Sequence, residues 1–287
     1  MCAAAPDRTA RVTVVRERAS AHPLAWIHRA EAREVAAELR AAGRAVELVA
    51  LPADLARLPP GPLLLRLSDP VMLVATRALT AASIPYVGPG AEAIARCYDK
   101  YDAWRVASAA GVDCPATALA SAAAALPLPL VLKPRQGSDS IGVRILRRGP
   151  IPRRARNDAC VAQERILGAE LTIAVLHGRV GAPWRILLPE GTPYSFARKY
   201  LWRPRREPVA EARLAERVCA AARRVAGALG VDWAARIDLI HETRTDRLRL
   251  LECDVAPLVG PRSAFAASLL AAGIGRAEQL ELLLRRG

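Results

Sequence analysis

The segment from Val231 to Asp254 constrains this chain more than any other. It reads VDWAARIDLI, HETRTD, RLRLLECD, two β-like stretches joined by a polar turn, which is the pattern of a hairpin. Side chains two apart on a strand share a face, so Arg236 goes with Asp238 and Glu252 with Asp254. With the turn centred near Arg244–Thr245, Asp238 falls opposite Glu252 and Arg236 opposite Asp254. Three carboxylates and one guanidinium then crowd one face of a ribbon. Carboxylates so placed repel unless a cation sits among them, and hard oxygen ligands suit Mg²⁺. A solvated face balanced by arginines is equally open at this point.

The rest of the chain must supply a fold around that ribbon. Its 287 residues suffice for two or three small domains, and 52% apolar residues exclude a disordered chain. Three blocks are legible. In the first, strands at Val12–Val15, Ala45–Leu51, Leu63–Leu67 and Ile84–Val87 alternate with helices at Ala30–Ala42 and Val71–Ser83. That order predicts a small parallel α/β domain. Two connector helices follow, Ala91–Cys97 and Asp99–Ala110, the second stopped by Gly111. The second block carries a strand, a short alanine helix, the run Leu128–Lys133, a Gly/Ser loop, and strands near Ile141–Leu146 and Cys160–Glu164. Its Arg144–Arg156 stretch, rich in arginine with two prolines, reads as an exposed loop. In the third block, Glu211–Leu229 is a long amphipathic helix ahead of the hairpin, and helices close the chain. The expected domain limits are 1–90, 91–166 and 167–287.

Composition narrows the setting. The six cysteines are scattered with no C-x-x-C pair, against a zinc site or disulfide scaffold. Neither a signal-type h-region nor an apolar run free of prolines and long enough to span a bilayer is present. A soluble cytoplasmic protein with no membrane partner is expected. The net charge is +14, yet among the 42 basic residues only Lys100, Lys133 and Lys199 are lysine. A chain that writes its surface cations as Arg and keeps three Lys marks places where a compact point charge is required. Dispersed arginines with few interleaved aromatics argue against nucleic acid as a partner.

Two further stretches carry chemistry. In KPRQGSDSIGV, Lys133–Val143, an apolar strand ends in Lys-Pro before a loop holding Ser138 and Ser140. Such a loop lets backbone N–H groups approach phosphate oxygens, with a lysine at its base. It is not a Walker A sequence. QERILGAELT, Gln163–Thr172, reads as strand, turn at Gly168, and strand. Glu170 stands there as an isolated acid, either a surface strand residue or an acceptor for ribose hydroxyls.

With these pieces in order, the chain from about Ile84 onward resembles the ATP-grasp ligases, and among them the D-alanine–D-alanine ligases. The matching segments are YDKYDAWRVASAAGVDCP, LVLKPRQGSDSIGV, AQERILGAELTIAVL, FARKYL, ARIDLI and LLECDVAP. All three lysines fall on motif positions where that family uses lysine. The resemblance implies an α/β (α+β) ATP-grasp fold with a small N-terminal parallel α/β domain, a central lid subdomain and a C-terminal catalytic subdomain. It implies that Lys100 and Lys133 contact ATP phosphates, with Ser138 and Ser140 in the loop over them. Gln163 and the Ile166 backbone would meet the adenine edge, and Glu170 the ribose. Lys199 would sit near the γ-phosphate, with Tyr200 beside the acceptor site. Asp238, Glu252 and Asp254 would hold Mg²⁺, with Mn²⁺ as a substitute. Arg236 would stabilise an oxyanion, and Ser263 would anchor a substrate carboxylate.

The N-terminal block departs from that family. The family's glycine-rich turn and ammonium-binding glutamate have no clear counterpart, and Glu17, Glu31 and Glu34 cannot be placed on the motif. LLLRLSDPVMLVATRAL stands where the family has HG-x-x-GEDG and looks more like the ribosomal-protein glutamate ligase branch. Asp139 replaces a loop serine, Leu258 a glycine, and Asp254 an asparagine, in a chain whose only asparagine is Asn157. The leading expectation is an ATP- and Mg²⁺-dependent carboxylate–amine ligase acting on a small amino acid or peptide-like substrate. An authentic D-alanine–D-alanine ligase is the second reading, and a non-catalytic, basic nucleic-acid-binding protein the third. A homodimer is left open.

Overall fold

A computed structural model describes residues 11–18, 25–52, 55–188 and 205–286. Three sheets organise it. The first is parallel, with order β2-β1-β3, where β1 is Val12–Arg16, β2 Val46–Ala50 and β3 Leu63–Arg66. β3 and most of β1 are buried at every position, as continuous apolar runs in a covered parallel sheet should be. Helix α1 (Ala25–Ala41) connects β1 to β2, a 3₁₀ turn at Leu55–Arg57 lies between β2 and β3, and α2 (Asp69–Ala81), α3 (Ala91–Tyr98) and α4 (Lys100–Ala109) follow β3.

The second sheet is antiparallel, order β4-β7-β5-β6, from β4 (Thr117–Leu119), β5 (Leu130–Pro134), β6 (Arg144–Leu146) and β7 (Cys160–Glu164). The third runs β11-β10-β8-β12-β13, with β8 Gly168–Leu176, β10 Trp184–Ile186, β11 Arg206–Pro208, β12 Ala234–Glu242 and β13 Arg247–Asp254; β9 (Arg179–Val180) pairs with β8. Helix α5 (Ala212–Leu229) buries Leu214, Val218, Ala222, Val225 and Leu229, a stripe at helical spacing. It stops at Gly230, whose φ of +69° forms a left-handed cap. Helices α6 (Ala264–Ala271) and α7 (Arg276–Leu283) finish the chain.

The first and third sheets share their interior. One cluster joins Val12, Val14 and Leu64 of the N-terminal sheet to Leu176, Trp233, Phe265 and Leu283. A second joins Leu63 and Leu65 to Ile173, Val218 and Ile237. The second sheet has a small core of its own around Leu130, Leu132 and Ala162.

Four sequence expectations need correction. Ile84–Val87 is not a strand: only Val87 forms a parallel bridge, with Leu64, because Pro85 has no N–H to donate and Ser83 is already left-handed (φ +55°). The strand expected over Ile141–Leu146 begins at Arg144, since Asp139, Ser140 and Gly142 all have positive φ. The Arg144–Arg156 stretch is exposed at all its arginines but is not a plain loop. It contains β6 and a 3₁₀ turn at Arg153–Ala155, pinned by buried Ile151. Finally, Gly168 is the first residue of β8 and no turn residue, the connection being Arg165–Leu167. A Cβ at Gly168 would lie 2.0 Å from the His241 carbonyl oxygen, so this strand pair closes only with glycine there.

Candidate active site

The β12–β13 ladder sets Arg236 opposite Asp254 and Asp238 opposite Glu252. The ladder achieves this through a bulge. Glu242 to Leu239 pair in regular register with Arg247 to Leu250, and Asp238 then skips Leu251 to meet Glu252. A regular ladder closing on the same turn would have placed Leu251 there.

Around this ribbon the carboxylates are crowded. Arg236 Nε donates to Asp238 Oδ1 at 3.2 Å, and its Nη1 lies 3.2 Å from Asp254 Oδ2. Thr172 on β8 donates to Asp238 Oδ1 at 2.7 Å, and the Ala256 N–H to Asp254 Oδ1 at 3.0 Å. Burial opposes the charge on Arg236, but Asp238 and Asp254 outweigh it and hold the guanidinium firmly protonated. Burial pushes the Asp254 carboxyl up to about 6; Arg236 works against this, and Glu252 and Asp238 add to it. A carboxylate raised in this way despite an adjacent arginine marks a place short of positive charge.

The nucleotide-side residues converge on a cleft of about 900 Å³ between the second and third sheets. Lys100, Lys133, Ser138, Ser140, Gln163, Ile166, Glu170, Asp238 and Glu252 all line it. Lys100 opens α4, whose N-cap Asp99 accepts from the N–H groups of Tyr101 and Asp102 at 3.1 Å each. Asp99 also accepts from Arg135 Nε at 2.8 Å, and Lys100 N donates to the Arg135 carbonyl at 2.9 Å. These bonds lock the helix start to the base of the Gly/Ser loop. Lys100 Nζ consequently bonds the Gly137 carbonyl and stands 4.0 Å from Glu252 Oε1.

Lys133, near the end of β5, donates to Gln163 Oε1 at 2.7 Å, and Gln163 Nε2 donates to Thr117 Oγ1 at 3.0 Å. The Gln163 amide therefore orients Lys133 from below, and the adjoining Arg165–Leu167 backbone presents the edge of the cleft. Ser263 caps α6, its hydroxyl accepting from the Ala266 N–H at 3.0 Å, and it lines neither this cleft nor the smaller cavity beside it. Lys199 and Tyr200 lie outside the described residues.

That smaller cavity, about 60 Å³, adjoins the cleft through Gly137, Ser138 and Glu252 and is walled by Arg236, Asp254, His28, Asp69 and Asp139 among others. Neither His28 nor Asp69 stands in a motif that the sequence displays. Asp69 carries no motif, being simply the first residue of α2. Burial, then Asp254, Asp139 and Glu252, push its carboxyl well above the usual range.

The donor set fits a hard divalent cation. Among the described residues no group of three or more His, Cys, Asp or Glu side chains is drawn together closely enough to hold a metal ion, and Arg236 stands between Asp238 and Asp254. Mg²⁺ needs only one or two carboxylates beside water and phosphate oxygens.

Comparison with known proteins adds the family. Residues 97–185 match the ATP-grasp domain. A D-alanine–D-alanine ligase from Acidiphilium cryptum (strain JF-5) is 35% identical over 271 residues, covering 85% of this chain and 88% of the relative. The chain belongs to the D-alanine–D-alanine ligase family of ATP-grasp enzymes. A second relative of the same name, from Albidiferax ferrireducens, is 30% identical over 220 residues, 69% of this chain and 62% of its own. Among solved structures, D-alanine–D-alanine ligase from Bacillus anthracis superposes with a TM-score of 0.78 at 20% identity, covering 96% of each chain. The VanG D-Ala:D-Ser ligase of Enterococcus faecalis gives 0.75 at 16% identity, over 96% of this chain and 98% of its own. Those two likenesses establish the ATP-grasp fold. As a member of this ATP-grasp family the protein is a ligase that forms carbon–nitrogen bonds. Among the described residues no helix is long and apolar enough to cross a membrane.

Proposed function

We propose that this ATP-grasp ligase uses ATP and Mg²⁺ to activate the carboxylate of a small amino acid or peptide-like substrate as an acyl phosphate, then joins it to an amine. The observation that carries this reading is the convergence of the two cleft lysines, the Gly/Ser loop and the carboxylate ribbon on one cleft of about 900 Å³.

A carboxylate at neutral pH is a poor electrophile, and phosphoryl transfer to it is limited by charge. Lys133, held by Gln163, and Lys100, set by the α4 cap, offer two fixed ammonium groups to the phosphates. Ser138 and Ser140 lie on the loop that would close over them, keeping water from an acyl phosphate. Glu170 would accept from the ribose hydroxyls, and the Arg165–Leu167 backbone would meet the adenine edge. Asp238, Glu252 and Asp254 would hold Mg²⁺, which when bound neutralises charge on the transferring phosphoryl group. Arg236, already fixed between two carboxylates, would stabilise the oxyanion that develops as the amine attacks. Lys199, Tyr200 and Ser263 keep the roles implied by the family: γ-phosphate, acceptor side and substrate carboxylate.

The limits 1–90, 91–166 and 167–287 serve as a working division into substrate-side, lid and catalytic parts. Cytoplasmic action fits the free thiols at Cys97, Cys114, Cys160, Cys219 and Cys253.

The test is ADP release from Mg-ATP across a panel of D- and L-amino acids and dipeptides, singly and in pairs. Stimulation by particular compounds, abolished in Glu252→Ala, is the expected result. D-alanine alone sufficing would establish the narrower reading, a D-alanine–D-alanine ligase, which the relative at 35% identity favours. No nucleotide binding at all would overturn both.

A further inference from the structure

Arg249 on β13 holds a cluster of contacts that lies outside the nucleotide cleft, whose lining does not include it. Its side chain is only 9% exposed and stands among three carboxylates from three parts of the chain. Nη2 donates to Glu164 Oε2 at 3.1 Å and to the Cys114 carbonyl at 3.3 Å. Nη1 donates to Glu242 Oε2 at 3.4 Å, and Nε lies 3.1 Å from Asp113 Oδ1.

These partners mark the two places where the chain crosses between the second sheet and the rest of the molecule. Asp113 and Cys114 lie on the way in, between α4 and β4, and Glu164 ends β7 on the way out to β8. The crossings are tied to each other: Glu164 N donates to the Ala116 carbonyl at 2.8 Å, and Ala116 N to Glu164 Oε2 at 3.2 Å. Beside Arg249, Leu250 N donates to the Asp113 carbonyl at 2.8 Å, and Arg247 Nε to Asp113 Oδ2 at 2.7 Å. Glu242, at the end of β12, also accepts from Thr245 Oγ1 at 2.7 Å and so holds the guanidinium from the hairpin side.

Apolar side chains could join two sheets as firmly as a buried ion cluster, because desolvation offsets much of the ionic attraction. A guanidinium adds direction, since its planar fork fixes the orientation of the groups it bridges. Orientation matters at this place. Lys133, Gln163 and the Gly/Ser loop belong to the second sheet, Asp238, Glu252 and Glu170 to the third, and the cleft lies between them. On β13 only two residues separate Arg249 from Glu252, and on β7 Glu164 directly follows Gln163.

We infer that Arg249 is a positioning residue for the nucleotide: it clamps both chain crossings of the second sheet to β13 and so fixes the angle at which Lys133 and the Gly/Ser loop face the carboxylate ribbon. The inference rests on the ATP-dependent ligase reading above. Without the clamp the second sheet samples angles at which the two walls of the cleft no longer match. Only a fraction of molecules is then ready to bind, and the apparent affinity falls by that fraction.

The experiment is calorimetric titration of the full chain with a non-hydrolysable ATP analogue and Mg²⁺, beside amide hydrogen exchange of the nucleotide-free protein. Arg249→Met should weaken the analogue about tenfold, as for a charged hydrogen bond lost at a partly exposed partner. In the ADP-release assay KM for ATP should rise by the same factor with kcat little changed. Glu164→Gln, at a side chain one-third exposed, should act in the same direction and serves if Arg249→Met does not fold. The double variant should bind about as well as the weaker single one, because both changes open the same clamp. Exchange should quicken at the amides of Ala116, Glu164 and Leu250 and stay as it was in α5. Unchanged affinity in both variants, additive losses, or a fall in kcat at constant KM would overturn the inference and leave the ligase reading standing. So would exchange quickened throughout the fold, which marks a merely structural residue, or weakened binding with no change at the crossings, which marks a direct contact. A wild type that binds no nucleotide would remove the ligase reading and this inference with it.

Discussion

Arg236 lies opposite Asp254 across the β12–β13 ladder and bonds Asp238 two residues along its own strand, so one guanidinium bridges both edges of the carboxylate ribbon. Removing it leaves two crowded carboxylates without their cation. Arg236→Met should lower the stability of the metal-free protein by about 1–3 kcal/mol, less than for a fully buried pair because the site borders solvent. Millimolar Mg²⁺ should restore part of that loss. If Arg236 also holds the oxyanion, kcat should fall about 10²–10³-fold. Thermal melts with and without Mg²⁺, beside steady-state kinetics, separate the two effects.

Asp254, with its carboxyl pushed up to about 6, gives a prediction with a definite sign. Its folded-state pKa exceeds the unfolded one, so between roughly pH 4 and 6 the folded chain binds the proton more tightly. The metal-free protein should therefore lose stability as pH rises through that window. Asp254→Asn should flatten the dependence and raise the melting temperature at pH 7. Mg²⁺ should stabilise the wild type more at pH 7 than at pH 5, because protonation competes with the metal. Melting curves at the two pH values, with and without Mg²⁺, check both statements.

Gln163 lines the cleft and holds Lys133 there. Gln163→Leu removes the 2.7 Å bond that orients the ammonium and leaves Thr117 Oγ1 without its amide donor. Affinity for an ATP analogue should drop about tenfold, and Lys133→Met should cost at least as much. A fluorescent-nucleotide titration measures both. Equal affinity in wild type and Gln163→Leu would show that Lys133 needs no support.

Gly168→Ala tests the strand closure directly. The added Cβ would fall 2.0 Å from the His241 carbonyl oxygen, forcing β8 and β12 apart at the mouth of the cleft. A loss of about 1–3 kcal/mol is expected, read from urea unfolding.

Much of the site was legible because strands alternate strictly. Arg236 with Asp238, and Glu252 with Asp254, could each be put on one face from spacing alone, but bringing both pairs onto the same face takes the bulge that skips Leu251, which spacing does not show. Long periodic stretches such as α5 were equally clear. Short irregular ones were not: the segment after Ser83 reads as β-like, yet Pro85 withholds the donor a strand needs. Gly168 reads as a turn residue because its tight contact, His241, is distant in sequence. Gln163 lines the cleft, as its place beside the expected adenine edge requires, but its bonds to Lys133 and Thr117 join residues 30 and 46 positions away and are not legible in the sequence. Asp69 and His28 are not legible for a related reason: each is a single polar residue at a helix, and only the third dimension brings α1, α2 and the Gly/Ser loop around one small cavity.

The shared interior of the first and third sheets bears on how such a chain could be re-engineered. Val12, Val14 and Leu64 share one core cluster with Leu176, Trp233 and Phe265, and Arg66, buried between Glu31 and the Pro257 carbonyl, rivets the same seam. Transplanting an N-terminal module from a relative to change substrate preference would therefore fail as a cut at residue 90. A working chimera has to carry the facing half of the seam with it.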